Sequence, residues 1–417
     1  MNKNEARFAI GLITSLFFLW GLAININPIL IPHLKKACQL SDLESGLIDS
    51  ATFFAYFIMA IPAGRFMERY GYKGGIVLGL LLFAFGAFLF FPAAETRSFI
   101  FFLTALFVIA CGLTFLETAA NPYITVLGEP ETATQRINFA QSFNGLAATL
   151  APLIGGRFIL SGKNLTAQEE AAMTPQQLND YLNMEASAVK IPFLVVGVVV
   201  LTVAIIFWRT KLPEIKEDSK QKDTGSIWKE KNLILGVIAQ FFYVGAQVCV
   251  SSFFIRFAYH VAGIGESSAY VFLSVALFGF MIGRFIGTFL LNYVTAPRLL
   301  AIYSFMNVVL LISAVLLDGM FSIYALIAVE FFMSIMFPTI FSLSIAGLGA
   351  KTKEGASLVI MAIVGGAIFP VIMGGVSDIS NIQLSYSVPA ACFLVILYFA
   401  IKNANVKNLA PSARSGH

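Results

Sequence analysis

Residues 10–30 run without a single charged side chain. At a rise of about 1.5 Å per residue, roughly 20 such residues make a helix that crosses the hydrocarbon core of a bilayer. Comparable stretches recur to the end of the chain. Bounded by charges and turn residues, they lie near 8–33, 43–65, 74–94, 98–127, 137–160 and 189–208, then near 233–260, 268–292, 297–317, 321–348, 356–377 and 384–401. Twelve spans need about 240 apolar residues, and 58% of 417 residues are apolar, which is nearly that whole supply. Only 12% are charged, about half of what a soluble globular domain carries. A soluble enzyme, a disordered chain and a secreted disulfide scaffold are excluded. Cys38, Cys111, Cys249 and Cys392 are scattered without metal-ligand or CxxC spacing and read as small apolar helix residues. The first run stays apolar too long for a cleaved leader and has no small-residue cleavage site, so it reads as the first span. The expected fold class is an all-α polytopic membrane protein with twelve transmembrane helices.

Between spans 6 and 7, residues 209–231 hold seven basic and five acidic side chains and read as a solvated linker with short interfacial helices. With both termini on one side, that side carries nineteen Lys and Arg and the other carries five. The positive-inside rule then places the termini and the linker in the cytoplasm, and makes 162–188 an external, partly helical loop.

The two halves resemble each other. Phe17-Phe18-Leu19-Trp20-Gly21 has a counterpart in Phe241-Phe242-Tyr243-Val244-Gly245, and Gly64-Arg65-Phe66 in Gly283-Arg284-Phe285. Pro152-Leu153-Ile154-Gly155-Gly156 matches the stretch 370–375, and Pro122 of span 4 matches Pro338 of span 10. Four matches in one order, half a chain apart, are the signature of transporter repeats. They predict an N-terminal six-helix bundle over 1–208, a linker over 209–231, and a C-terminal bundle with its tail over 232–417, with a cavity between the bundles. The segment joining spans 2 and 3 contains Gly64, Glu68, Arg69, Gly71 and Lys73 in the register G-x-x-x-E-R-x-G-x-K. It resembles the conformational loop of the major facilitator superfamily, in which Gly64 would permit close helix approach. Glu68 and Arg69 would bond to neighbouring helix ends.

Five ionisable residues stand out within spans, where a charge is costly and therefore a functional candidate: Asp49, Glu117, Arg157, Arg256 and Glu330. Glu117 is the strongest, because small residues and Pro122 follow it in Thr118-Ala119-Ala120-Asn121-Pro122 and suggest a helix facing a cavity. Burial disfavours the charged form of a carboxyl, so an acid at this depth can take up and release a proton. The other polar side chains are mostly amides: Asn25 and Asn27, Asn121, Gln141 and Asn144, Gln240 and Gln247. Amides donate and accept hydrogen bonds, which suits a neutral, hydroxyl-rich ligand. Trp20, Tyr56, Tyr243 and Phe337 offer flat faces for a sugar ring. Arg256 reads equally as a gate or an interfacial anchor, Arg157 as interfacial, and Glu330 has no evident partner.

Leu116-Glu117-Thr118-Ala119-Ala120-Asn121-Pro122, followed by Asn138-Phe139-Ala140-Gln141-Ser142-Phe143-Asn144, resembles the fucose–proton symporter family of the major facilitator superfamily. So do Phe337-Pro338-Thr339-Ile340-Phe341 and Tyr243-Val244-Gly245-Ala246-Gln247, and the resemblance covers essentially the whole chain. It implies monosaccharide uptake across a bacterial inner membrane with the proton as coupling ion and no other cofactor or metal. It further implies that Glu117 couples proton and sugar binding, and that Gln141 and Asn144 line the sugar cavity. One departure stands out: where the family's best-known member has a span-1 aspartate, this chain has Pro28. Asp49, at a similar depth in span 2, would replace that carboxylate; or Glu117 carries the proton alone; or the protein is a passive uniporter. The partners expected are a small neutral sugar (L-fucose, glucose, galactose or an N-acetylhexosamine) and the lipid bilayer, with no nucleic acid and a monomeric state. An intramembrane enzyme is disfavoured by the lack of HExxH, GxSxG, Walker or paired-carboxylate motifs. A sugar sensor is disfavoured by the short linker and tail.

Overall fold

The computed structural model describes residues 3–40, 42–159, 172–212, 226–264 and 266–404. Every one of the twelve spans is helical in it, and the chain has the twelve-helix architecture that the apolar runs predict. Span 1 is Lys3–Asn25, followed after a turn at Ile26 by Asn27–Ala37, whose first turn contains Pro28. Proline suits that position because the donor it lacks would have no partner there anyway. Spans 2 and 3 form one helical run, Asp42–Thr96, broken only at Gly71 with φ of +72°. An L side chain avoids that region, so a single glycine makes the reversal between two spans.

Spans 4, 5 and 6 are Phe99–Val126, Ala133–Ile159 and Lys190–Arg209. Spans 7, 8 and 9 are Lys231–Ala262, Glu266–Leu290 and Ala296–Leu316. Span 10 is two pieces, Met320–Met333 and Met336–Ile345, and Pro338 in the first turn of the second piece explains why the break falls there. Span 11 runs from Thr352–Met361 through the 3-10 turn Ala362–Val364 into Gly365–Ile379, and span 12 is Ser387–Ala404. In the 162–188 loop the described part is the helix Pro175–Ser187. Thr174 and Gln177 cap it reciprocally, each side chain accepting the other's backbone N–H. Of the linker, Ile227–Lys229 is a short 3-10 turn, and 213–225 lie outside the described residues.

By backbone contacts the chain forms two compact units. One is Leu16–Ala120 with Leu146–Leu212; the other is Met1–Ser15, Asn121–Gly145 and Pro213–His417. In the first, lipid gives helices no hydrophobic reason to associate, so close packing of small residues has to do it. Spans 3 and 4 meet at Gly79 and Gly112, where a Cβ on Gly112 would lie 2.6 Å from the Gly79 carbonyl oxygen and the Phe83 nitrogen. Phe90 of span 3 stacks on Phe193 of span 6 at 3.6 Å. Lys73, rather than Glu68 or Arg69, makes the helix-end bond expected of the conformational loop: its ammonium donates to the Trp208 carbonyl at the end of span 6 (2.8 Å). Glu68 and Arg69 are exposed, with Arg69 over the Tyr70 ring, and Gly64 is buried. His33 pins the extension of span 1 to the loop helix through the Glu185 carbonyl (2.9 Å).

In the second unit, Gly283 of span 8 lies so close to span 10 that a Cβ would meet the Phe331 carbonyl oxygen at 2.6 Å. The turn between spans 4 and 5 is built by Arg136. Its guanidinium donates to the carbonyls of Ile124 (3.1 Å), Thr125 (2.6 Å) and Glu129 (2.8 Å), collecting the acceptors that the end of span 4 leaves unpaired. Outward-facing apolar side chains, among them Val195, Val198, Val199 and Ile205 of span 6, are exposed along the helices as lipid contact requires.

The glycine crossing yields a test. Gly112→Ala forces backbone apart in a packed interface, at a cost of about 1–3 kcal/mol, and lowers the thermal unfolding midpoint of the detergent-purified protein. Gly11→Ala, whose Cβ would meet nothing within 4 Å, leaves it unchanged. Equal midpoints for the two variants would contradict this packing account.

Candidate functional site

Glu117 sits in the latter half of span 4 and is 5% exposed. Its Oε1 accepts a 2.5 Å hydrogen bond from the Tyr56 hydroxyl of span 2. No cation among the described residues lies within ion-pair distance of it. A phenol both donates and accepts, so this partner serves the carboxyl with or without its proton, whereas an arginine would hold it ionised. The sequence offered Tyr56 as a stacking face; buried, with its hydroxyl spent on Glu117, it is a partner of the acid instead. Trp20 is also buried, packed on Phe17 with ring centroids 4.1 Å apart. Asn25 donates to the Gly21 carbonyl of its own helix (2.7 Å). The side chains of Asn27, Pro28, Asp49 and Arg157 lie outside the described residues.

The other unit gathers the remaining amides. Gln141 Nε2 points at Asn121 Oδ1 (3.5 Å), and both residues are buried. Joining them is a residue that the sequence reading passed over, Arg284 of span 8. Its guanidinium donates to the Gln141 carbonyl (2.6 Å), to Asn144 Oδ1 (3.5 Å) and to the Ser334 carbonyl at the break in span 10 (3.0 Å). It also lies over the Phe280 ring. The signal is present in the sequence, since an arginine inside an apolar run is as costly as an acid, but the same residue also reads as part of the Gly-Arg-Phe repeat. Nearby, Asn138 donates to Thr339 Oγ1 (3.2 Å) and the Thr134 and Ser342 hydroxyls are 2.8 Å apart. Gln135 donates to Asn292 Oδ1 (2.8 Å). The start of span 5 is thereby tied to spans 8 and 10.

Gln240 and Tyr243 stand one helical turn apart on span 7. Tyr243 is buried, its hydroxyl donates to the Met333 carbonyl (3.0 Å), and its ring faces that of Phe337 with centroids 6.5 Å apart. Gln247 is half-buried. Gln240 is 0% exposed, yet neither atom of its amide has a hydrogen-bond partner among the described residues, and Asn121 Nδ2 is likewise unpaired. Such atoms cost about 1–3 kcal/mol each when left unmet, and hydroxyls of a polar ligand would meet them. Arg256 is exposed over the Phe253 ring and lines an open polar crevice with His260, Asp378 and Asn381. Glu330 does have a partner, the Ser251 hydroxyl of span 7 at 2.7 Å.

The amide of Gln240 separates a binding role from a structural one. Gln240→Leu removes two unmet polar atoms, so the unfolding midpoint holds or rises. Affinity for the ligand falls about tenfold, the loss of roughly 1.4 kcal/mol. A lowered midpoint with unchanged affinity would assign Gln240 to helix packing.

Residues 11–361 match the model of the Major Facilitator Superfamily. The chain is 42% identical over 405 residues to a glucose/galactose transporter of Brucella abortus, covering 96% of this chain and 95% of that one. It is 40% identical over 401 residues to the L-fucose-proton symporter of Escherichia coli strain K12, covering 94% and 92%. Among solved structures, that of the major facilitator superfamily transporter FucP in the outward conformation superposes with a TM-score of 0.89 at 40% identity, covering 96% of this chain and 99% of that one.

Proposed function

Since this chain belongs to the fucose–proton symporter family of the major facilitator superfamily, we propose that it imports a neutral monosaccharide together with protons by alternating access. It is a multi-pass membrane transporter and not an enzyme. The observation that carries the coupling is the Glu117 carboxyl, buried in span 4 with a phenol at 2.5 Å and no cation beside it among the described residues. An uncompensated carboxylate in hydrocarbon is costly; a protonated one is not. The conformational change that closes the site to water therefore favours the protonated form of Glu117, and this is what links proton binding to transport.

Gln240, Asn121, Gln141 and Asn144 supply donors and acceptors for sugar hydroxyls, and Phe337 an apolar face. The bundles over 1–208 and 232–417 rock about the sugar, with the linker 209–231 joining them. Under the positive-inside rule both termini are cytoplasmic and the membrane is a bacterial inner membrane. On that orientation the ties from the start of span 5 to spans 8 and 10, through Thr134, Asn138 and Arg284, sit toward the cytoplasm. They have to part before sugar can leave on that side. The working unit in this reading is a monomer with no metal or organic cofactor and no nucleic-acid partner.

The sugar is a neutral hexose, with L-fucose, glucose and galactose the leading candidates in view of the relatives' substrates. A panel of labelled monosaccharides, assayed in vesicles with and without a pH gradient, identifies it. In the same vesicles Glu117→Gln abolishes accumulation against a gradient while sugar counterflow persists. Accumulation by Glu117→Gln would remove Glu117 from the coupling. Accumulation absent in the wild-type protein as well would leave a passive uniporter. Asp49→Asn separates the two coupling schemes: sugar-driven alkalinisation is lost if Asp49 replaces the carboxylate that Pro28 displaces, and retained if Glu117 acts alone.

A further inference from the structure

The second-half helices hold a carboxyl group that the coupling scheme leaves unused. Glu330 lies in the middle of span 10 and is 1% exposed. One hydroxyl, that of Ser251 on span 7, donates to its Oε1 at 2.7 Å. Among the described residues, none of the elements around this part of span 10 offers it a cation. From span 8 comes Arg284, whose guanidinium is committed to the carbonyls of Gln141 and Ser334 and to Asn144. From span 9 comes Tyr303, edge-on to Phe332 at 5.1 Å. From span 7 come Tyr243, whose hydroxyl donates to the Met333 carbonyl, and the Cys249 thiol. Tyr386, just before span 12, donates to the Val250 carbonyl at 3.3 Å, and Cys392 follows it on span 12. Arg284, Tyr243 and Tyr386 thus donate to other groups, while the Ser334 hydroxyl, one turn along span 10, has no hydrogen-bond partner among the described residues.

The arrangement repeats that of Glu117: a buried carboxyl on the fourth helix of its half, one hydroxyl partner from a different helix, and no counter-ion among the described residues. A hydroxyl can donate to a carboxylate or accept from a carboxylic acid, so the pair tolerates both protonation states without rearranging. Among the described residues this carboxyl has a single hydroxyl donor and no arginine to hold it ionised. Ser251 also ties span 7, the helix of Gln240 and Tyr243, to the acid, so movement of span 7 on ligand binding changes what Glu330 can bond to.

We propose that Glu330 is a second proton-binding site of the transport cycle, carried by spans 7 and 10 and switched through its bond to Ser251. The inference rests on the reading of the protein as a proton-coupled symporter. Infrared difference spectroscopy on the purified full-length protein, titrated from alkaline to acidic pH with and without sugar, reads it directly through the carbonyl stretch of protonated carboxyl groups. A titrating, sugar-sensitive band that persists in Glu117→Gln and is lost in Glu330→Gln is the expected result, with one fewer proton taken up per protein. Ser251→Ala keeps that band but displaces its midpoint, which provides a reading even if Glu330→Gln does not fold. A spectrum of Glu117→Gln with no sugar-sensitive carboxyl band, or a band unmoved by Ser251→Ala, overturns the proposal and leaves coupling at Glu117 intact. Failure of the symport reading itself looks different: sugar then perturbs no carboxyl band in the wild-type protein, that of Glu117 included.

Discussion

Hydrocarbon solvates neither a charge nor an unpaired backbone group, and nearly every feature of this protein answers to that fact. The backbone is satisfied by closing its hydrogen bonds within helices. Where it cannot be, at helix ends, a cation is brought in: Arg136 collects the last carbonyls of span 4, and Lys73 takes that of Trp208 at the end of span 6. The same constraint makes the few polar side chains at depth informative. A group such as Glu117, with one phenol and no cation within ion-pair distance among the described residues, is tolerable when protonated and costly when not. In a soluble protein it would be one buried acid among several; here it is the group on which the proposed proton coupling rests.

Transport also requires that helices from the two sequence halves can be joined and released. Residues Asn121–Gly145 group by contact with the second-half helices, and polar, directional bonds join them among the described residues. Arg284 reaches Gln141 and Asn144, Asn138 reaches Thr339, and Thr134 pairs with Ser342. Net worth per hydrogen bond is about 0.5–1.5 kcal/mol, so a small set of them holds one arrangement without locking it. Among the described residues Arg284 bonds backbone carbonyls and a neutral amide rather than a carboxylate, so the proposed cycle has no ion pair of Arg284 to break.

The fold was legible because bilayer thickness imposes a length on every span. Even the breaks had local causes: Pro338 accounts for the interruption of span 10, and Gly71 alone separates spans 2 and 3. The candidate site was legible in part. Glu117 stood out as an acid in an apolar run, and the amides by their concentration in spans 1, 4, 5 and 7. Pairing was not, since nothing in the local sequence says that Tyr56 will meet Glu117 across 61 positions, or Ser251 meet Glu330 across 79. Nor does composition distinguish an amide already bonded within its helix, such as Asn25, from one left unmet, such as Gln240. Those distinctions arise from helix rotation and crossing, which a period of 3.6 residues leaves open until neighbours are placed.

If sugar and proton cross together, the pH outside sealed vesicles containing the wild-type protein reports it when sugar is allowed to enter downhill with no proton gradient imposed. The medium is expected to turn alkaline in step with sugar entry, and a protonophore to abolish the pH signal while sugar entry continues. Sugar entry at the same rate with no change in external pH would contradict coupled transport.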